Sequence, residues 1–370
     1  MNALLLGAML MTAQDTTWAP LARVLDSAVA HRAFPGAVVA IGRRDTVLYL
    51  HAFGHLDYEH GRPVTASTVY DLASLTKVVG LTTAMMQLAL AHRVELDTPA
   101  VRYVPAFHDT TITVRELLTH SSGLPAWRPF WQRVHSREEM FALVNAEPLE
   151  QPPGVRMVYS DLGAMVMTQI VEHVTGERLD RYLQARLFQP LGMLSTRYLP
   201  PASWRSRIAP TEMDTTYRHR LVHGEVHDEN AASMGGISGH AGLFSTAPDL
   251  ARFAAMMLTC FSDAPRTTHD APIVDCATVR TFTKVQRPGF SSRALGWDTP
   301  SEGSSAGTRL SPGAFGHTGF TGTSIWIDPA QDLFIILLTN RVYPTRENHQ
   351  IADVRRAVAD TAVRVATGHR

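Results

Sequence analysis

The strongest local chemical signal in this chain is the run Asp71-Leu72-Ala73-Ser74-Leu75-Thr76-Lys77. Ser74 stands where an apolar helical stretch begins and Lys77 lies three residues on, so a helix puts both side chains on one face. A helix N-terminus offers unpaired N–H groups and the positive end of the macrodipole, both suited to a developing oxyanion. Lys77 is set among Leu75, Val78, Val79 and Leu81. Desolvation and the dipole are expected to disfavour its ammonium form and lower its pKa. A lysine in that state can take the proton of Ser74, whose hydroxyl is otherwise a weak nucleophile. A serine N-cap followed by a surface lysine would look the same over four residues. The apolar helix around Lys77 argues against it.

Two rival patterns occur. Gly303-Ser304-Ser305-Ala306-Gly307 has the G-x-S-x-G form of a nucleophile elbow, which requires a strand before it and a helix after it. Its flanks, Asp298 to Glu302 and Thr308 to Pro312, read as polar loop, so the pattern is rejected. His223-Gly224-Glu225-Val226-His227-Asp228 would hold zinc if His223 and His227 shared a helix face. Its order is not H-E-x-x-H, and Gly224 is a poor helix residue. We expect a polar segment near the rim of a cleft and no metal site. His120 and His240 read as structural hydrogen-bonding groups, or as pocket lining.

The elements that must position Ser74 are legible in outline. Leu21 to His31 has the apolar spacing of an amphipathic helix. Residues 37–41 and 46–50 are apolar runs separated by Gly42-Arg43-Arg44-Asp45, the pattern of a hairpin. Two further strands are expected at 323–327 and 333–338, with a turn at Asp328-Pro329, and a closing helix at 350–366. Between these ends, Leu75 to His92 is apolar all round, as for a helix buried on every side. Asp161 to Thr175 is a second helix, stopped by Gly176. A third begins at Thr246-Ala247-Pro248-Asp249, a capping pattern with proline in the first turn. Strands at both ends around a helical middle predict an α/β (α+β) fold: an antiparallel sheet flanked by helices, with an inserted helical lobe.

Three motifs in order, Ser74-x-x-Lys77, Tyr159-Ser160-Asp161 and His317-Thr318-Gly319, resemble those of the serine β-lactamase and penicillin-binding-protein superfamily, most closely its class C β-lactamase and esterase branch. The stretches Glu116 to Pro125, Pro153-Gly154 and Gly239 to Thr246 are similar too. The resemblance implies a single two-lobed catalytic domain over residues 18–368. It further implies that Ser74 forms an acyl-enzyme with Lys77 as base. Tyr159, its phenol pKa lowered by a neighbouring ammonium, would shuttle protons. The N–H groups of Ser74 and of Phe320, which follows His317-Thr318-Gly319 on an edge strand, would form the oxyanion hole. Asp161, His317, Thr318 and Gly319 would contact substrate. Two positions depart from the pattern. His317 replaces lysine, making the positive charge conditional on pH near 6.5. Asp161 replaces asparagine, adding an anion. Both weaken the case for carboxylate-bearing β-lactams and favour esters or D-amino amides.

Composition narrows the partners. The chain has 370 residues, 45% hydrophobic, with 34 Lys+Arg against 34 Asp+Glu. Zero net charge gives no electrostatic footprint for nucleic acid. A small-molecule ester, peptide or β-lactam-like substrate fits better, and no cofactor is required. The apolar run at residues 3–11 is about half the length needed to span a bilayer. It suits a signal peptide over residues 1–13 with cleavage after Ala13, although a basic n-region is missing. Export, periplasmic or secreted, is therefore expected, with the cytoplasm as the alternative: Cys260 and Cys276 could pair in an exported protein, and two buried thiols fit the cytosol equally well.

Overall fold

The structure, a computed structural model, describes residues 16–262 and 273–368. The expected signal peptide at 1–13 lies outside the described residues. Five strands form one antiparallel sheet: β1 (Gly36–Gly42), β2 (Val47–Gly54), β3 (Phe315–Thr318), β4 (Ser324–Asp328) and β5 (Leu333–Thr339), in the order β2-β1-β5-β4-β3. β1 and β5 are central, buried on both faces, and accordingly apolar throughout rather than alternating. Their register pairs Val39 with Leu337 and Ile41 with Ile335. Alternate residues of β1 feed two separate cores. Val39 and Ile41 pack with Leu21, Leu25, Val358 and Ala362 from α1 (Ala19–Ala30) and the C-terminal helix α6 (Ile351–Thr367). Val38 and Ala40 face the opposite core, which contains Leu250, Phe253 and Met257 of α4 (Ala247–Thr259) and the helical lobe.

That lobe is inserted between β2 and β3. It contains α2 (Thr83–Leu90) and α3 (Asp161–Thr175), and α3 ends on Gly176 in the left-handed conformation at φ 73°. The expected uninterrupted α-helix from Leu75 to His92 is corrected in one respect. Residues Lys77–Thr82 are π-helical, α2 proper begins at Thr83, and it stops at Leu90. Such wide turns recur at functional sites, where they re-aim side chains. Cys260, just after α4, is bonded to Cys276 at the start of α5 (Cys276–Thr283). Among the described residues no helix is long and apolar enough to cross a membrane.

A second, small sheet pairs Tyr70–Asp71 and Arg197–Tyr198 with the strand Leu243–Ser245. It fixes the approach to Ser74: Leu72 N–H donates to Leu243 O at 2.9 Å, and Leu243 N–H to Thr76 Oγ1 at 3.1 Å.

Candidate active site

Ser74 follows a strained residue. Ala73 has φ 46°, and its N–H is held by Asp71 Oδ1 at 2.8 Å. A non-glycine residue there costs free energy, and surrounding structure must enforce it. Asp71 does so from a fully buried position, its other oxygen accepting from His227 N–H at 2.6 Å.

Lys77, its side chain 4% exposed, donates through Nζ to Ser74 Oγ at 3.1 Å and to the His240 carbonyl at 2.9 Å, and forms an ion pair with Asp161 Oδ1 at 2.6 Å that lacks regular hydrogen-bond geometry. Burial opposes the charge, but Asp161 and Tyr159 outweigh it and hold the ammonium well above the usual lysine range. The expected lowering of this pKa is thus reversed. The apolar neighbours of Lys77 are local in sequence, whereas the Asp161 carboxylate reaches Nζ only through the fold. Tyr159 is also reversed. Burial raises its phenol, and Lys77 only partly offsets that. Its hydroxyl faces Lys77 and Ser74 without a hydrogen bond of regular geometry to either. The Tyr159 ring has Lys77 Nζ 5.0 Å from its centroid and the His120 ring at 4.5 Å.

His317 lies on β3, as expected, with its ring 5.6 Å from that of Tyr159. Its Nδ1 donates to Thr318 O at 2.8 Å, so in the neutral ring Nε2 is a bare acceptor, and it has no partner. Burial, then Arg293 and Lys77, push its pKa well below 6.5. The expected charge switch near pH 6.5 is thus moved to lower pH, which favours the neutral ring. Arg293, with its guanidinium 5.3 Å from the Tyr159 ring, carries no motif signal and went unnoticed in sequence.

The β3–β4 turn is laced to the Ser74 turn. Thr321 Oγ1 donates to Asp71 O at 2.7 Å and Thr323 Oγ1 to Leu72 O at 3.0 Å. β3 ends at Thr318, so Gly319 and Phe320 lie in this turn rather than on the strand, with Gly319 N–H bonded to Thr323 O. Among the described residues neither Ser74 N–H nor Phe320 N–H has an acceptor within the protein. Both residues line one cavity of 340 Å³, together with Tyr159, Asp161, His240, Asp228 and Trp127. His317, Thr318 and Gly319 do not line it. Lys77 sits beneath, reached through Ser74. A larger open groove of 660 Å³ runs past Arg62, Arg205 and His223 and contains none of these groups.

The remaining sequence candidates resolve as follows. Residues 222–228 are irregular, not helical, so His223 and His227 do not share a helix face. His223 bonds Ile208 O at 2.9 Å and His227 bonds Glu212 at 2.8 Å, while His227 and Asp228 line the cavity. His240 joins Asp228 and Ser238 through its ring, and His120 accepts the Ser160 N–H. The G-x-S-x-G run is a loop whose Ser305 binds Trp326 Nε1.

Comparison with known proteins gives the family and the fold. A family model described as Beta-lactamase matches residues 21–360. A relative from Escherichia coli (strain K12), named "Putative D-alanyl-D-alanine carboxypeptidase", is 31% identical over 347 residues, covering 83% of this chain and 79% of its own. Among solved structures, EstCE1, a hydrolase with promiscuous acyltransferase activity, has a TM-score of 0.74 at 21% identity, covering 95% of this chain and 99% of its own. A penicillin-binding protein homolog from Caulobacter crescentus has a TM-score of 0.75 at 20% identity, covering 95% and 97%. At such identities the two structures speak for the fold alone.

Proposed function

The chain belongs to the Beta-lactamase family, and from that membership we propose that it is a serine hydrolase, acting by acyl transfer through Ser74 on esters or amides of the carboxylesterase or D-amino-peptide type. One observation carries this: Ser74 Oγ stands at a cavity wall, 3.1 Å from a buried lysine, beside the Tyr159 hydroxyl. Oγ attacks the carbonyl carbon, and the N–H groups of Ser74 and Phe320 receive the charge that develops on oxygen. Lys77 and Tyr159 handle the protons, and water then releases the acyl group. The chemistry needs no cofactor.

A DD-peptidase of the penicillin-binding type is the second reading, favoured by the name of the Escherichia coli relative. Efficient β-lactam hydrolysis fits less well, because neutral, buried His317 supplies no fixed positive charge to a substrate carboxylate. The Cys260–Cys276 bond supports an exported protein, since disulfides persist in oxidising compartments.

The test is turnover of p-nitrophenyl esters, D-alanyl peptides and nitrocefin side by side, for the wild-type chain and Ser74→Ala. Esters or D-alanyl peptides should be hydrolysed, and Ser74→Ala should lose at least about 10³-fold in kcat/KM. Unchanged hydrolysis by Ser74→Ala would remove the serine from the mechanism.

A further inference from the structure

The Asp161 carboxylate 2.6 Å from Nζ favours the ammonium form of Lys77, and an ammonium has no lone pair with which to accept the Ser74 proton. The Tyr159 phenol is held in its protonated form. His240 offers Lys77 its carbonyl, while its ring is taken by Asp228 and Ser238. Asp228 acts on Lys77 only from beyond that ring. His120 spends Nδ1 on Ser160 N–H and His317 spends Nδ1 on Thr318 O. Arg293 only adds positive charge. The group that touches Nζ and can take a proton is Asp161, with Oδ1 at 2.6 Å, held at the first position of α3 by the Ser160 cap.

We propose that Asp161 is a positioning residue for acylation, acting through Lys77: as Ser74 attacks, one Nζ proton passes to Asp161 Oδ1, and Nζ takes the Ser74 proton in its place. This rests on Ser74 being the nucleophile. The step balances. Oγ bonds to the carbonyl carbon and the π pair moves to the carbonyl oxygen, giving an oxyanion, an ammonium and a neutral Asp161. When the intermediate collapses, the leaving group departs with a proton relayed from Lys77 through Tyr159, and Asp161 returns its proton to Nζ. The Ser74 proton ends on the leaving group, and the ion pair is restored. The amide of Asp161→Asn cannot take a proton, so Lys77 would have to lose one to solvent before attack.

The experiment reads the rate at which a fluorophosphonate labels Ser74 as a function of pH, which isolates attack because fluoride leaves without a proton. The wild-type rate should be flat from about pH 6 to 9, because no proton is exchanged with solvent before attack. Asp161→Asn should be at least about tenfold slower at pH 7 and should rise with pH by up to about tenfold per unit. Asp161→Glu, which keeps the carboxylate, should recover the flat profile. An Asp161→Asn profile parallel to wild type and within about twofold of it overturns the proposal. If Asp161→Asn does not fold, a profile for Asp161→Glu that climbs with pH overturns it instead. Failure to label Ser74 in the wild type sinks the nucleophile and this step together, whereas parallel profiles with Ser74 labelled sink Asp161's part alone.

Discussion

At the scale of single residues, the site depends on contacts of a few ångströms between parts of the chain far apart in sequence. Gly319 shows it best. A Cβ there would meet Thr323 Oγ1 at 2.1 Å and the Leu72 carbonyl at 2.4 Å, so the β3–β4 turn lies directly against the Ser74 turn with no room for a side chain. Gly319→Ala is therefore expected to push Phe320 N–H away from the cavity. Losing one oxyanion donor costs about 3 kcal/mol, or about 10²-fold in kcat. Steady-state kinetics on an ester checks this, and an unchanged kcat would show that Phe320 N–H is not used. Lys77 makes the complementary point about charge. Burial among apolar neighbours opposes its charge, and one carboxylate at 2.6 Å decides the matter in favour of the ammonium.

At the scale of elements, the start of α3 does most of the positioning. Ser160 caps the helix by accepting from Gly163 N–H at 3.2 Å and donates to Pro125 O at 2.6 Å, while its own N–H is held by His120. Tyr159 and Asp161 flank it, so both inherit its placement. Ser160→Ala should destabilise the protein by about 1–2 kcal/mol through the lost cap and the buried Pro125 carbonyl left without its donor. A shift of that size in the urea midpoint, together with slower ester turnover, is the expected result. Much of this element was readable in the sequence, because caps and stops are local: Ser160, Asp161 and Gly176 announce its ends. The hairpin, α4 and α6 were legible for the same reason. The π-helical turn at Lys77–Thr82 and the pairing of β3 with β4 were not, since they depend on tertiary packing. The Thr321–Asp71 bond joins residues 250 apart, and no local pattern encodes it. The Ser74, Lys77 and Tyr159 cluster was found through motif order. Asp228 lay in the run expected at the rim of a cleft, whereas Trp127 and Arg293 carried no motif and came only with the fold.

At the scale of the whole molecule, two cores on either side of the sheet hold the nucleophile turn against the edge strand, and buried histidines make that assembly sensitive to acid. Burial, assisted by Arg293 and Lys77, depresses both His120 and His317 below the histidine range. A histidine depressed in the folded state is charged first in the unfolded chain, which binds more protons once the pH falls below about 6.5. Stability should therefore be flat above about pH 6.5 and fall below it by up to about 1.4 kcal/mol per pH unit for each of the two. Glu212 acts lower down. Burial opposes its ionisation, but His227 and Arg346 hold it at about 2, so its contribution is lost only as the pH drops further below the ordinary carboxylate range. Urea unfolding between pH 5 and 8 reads the histidine window alone, because that of Glu212 lies lower, and a curve without slope between about 6.5 and 5 would contradict the histidine assignment. On the proposed function, these features serve one chemical act at one atom, Ser74 Oγ. The most direct measurement is to react the full chain with a fluorophosphonate and locate the adduct by mass spectrometry. The expected result is a single adduct on Ser74, absent from Ser74→Ala. An adduct on any other residue, Ser305 of the G-x-S-x-G loop included, would contradict it.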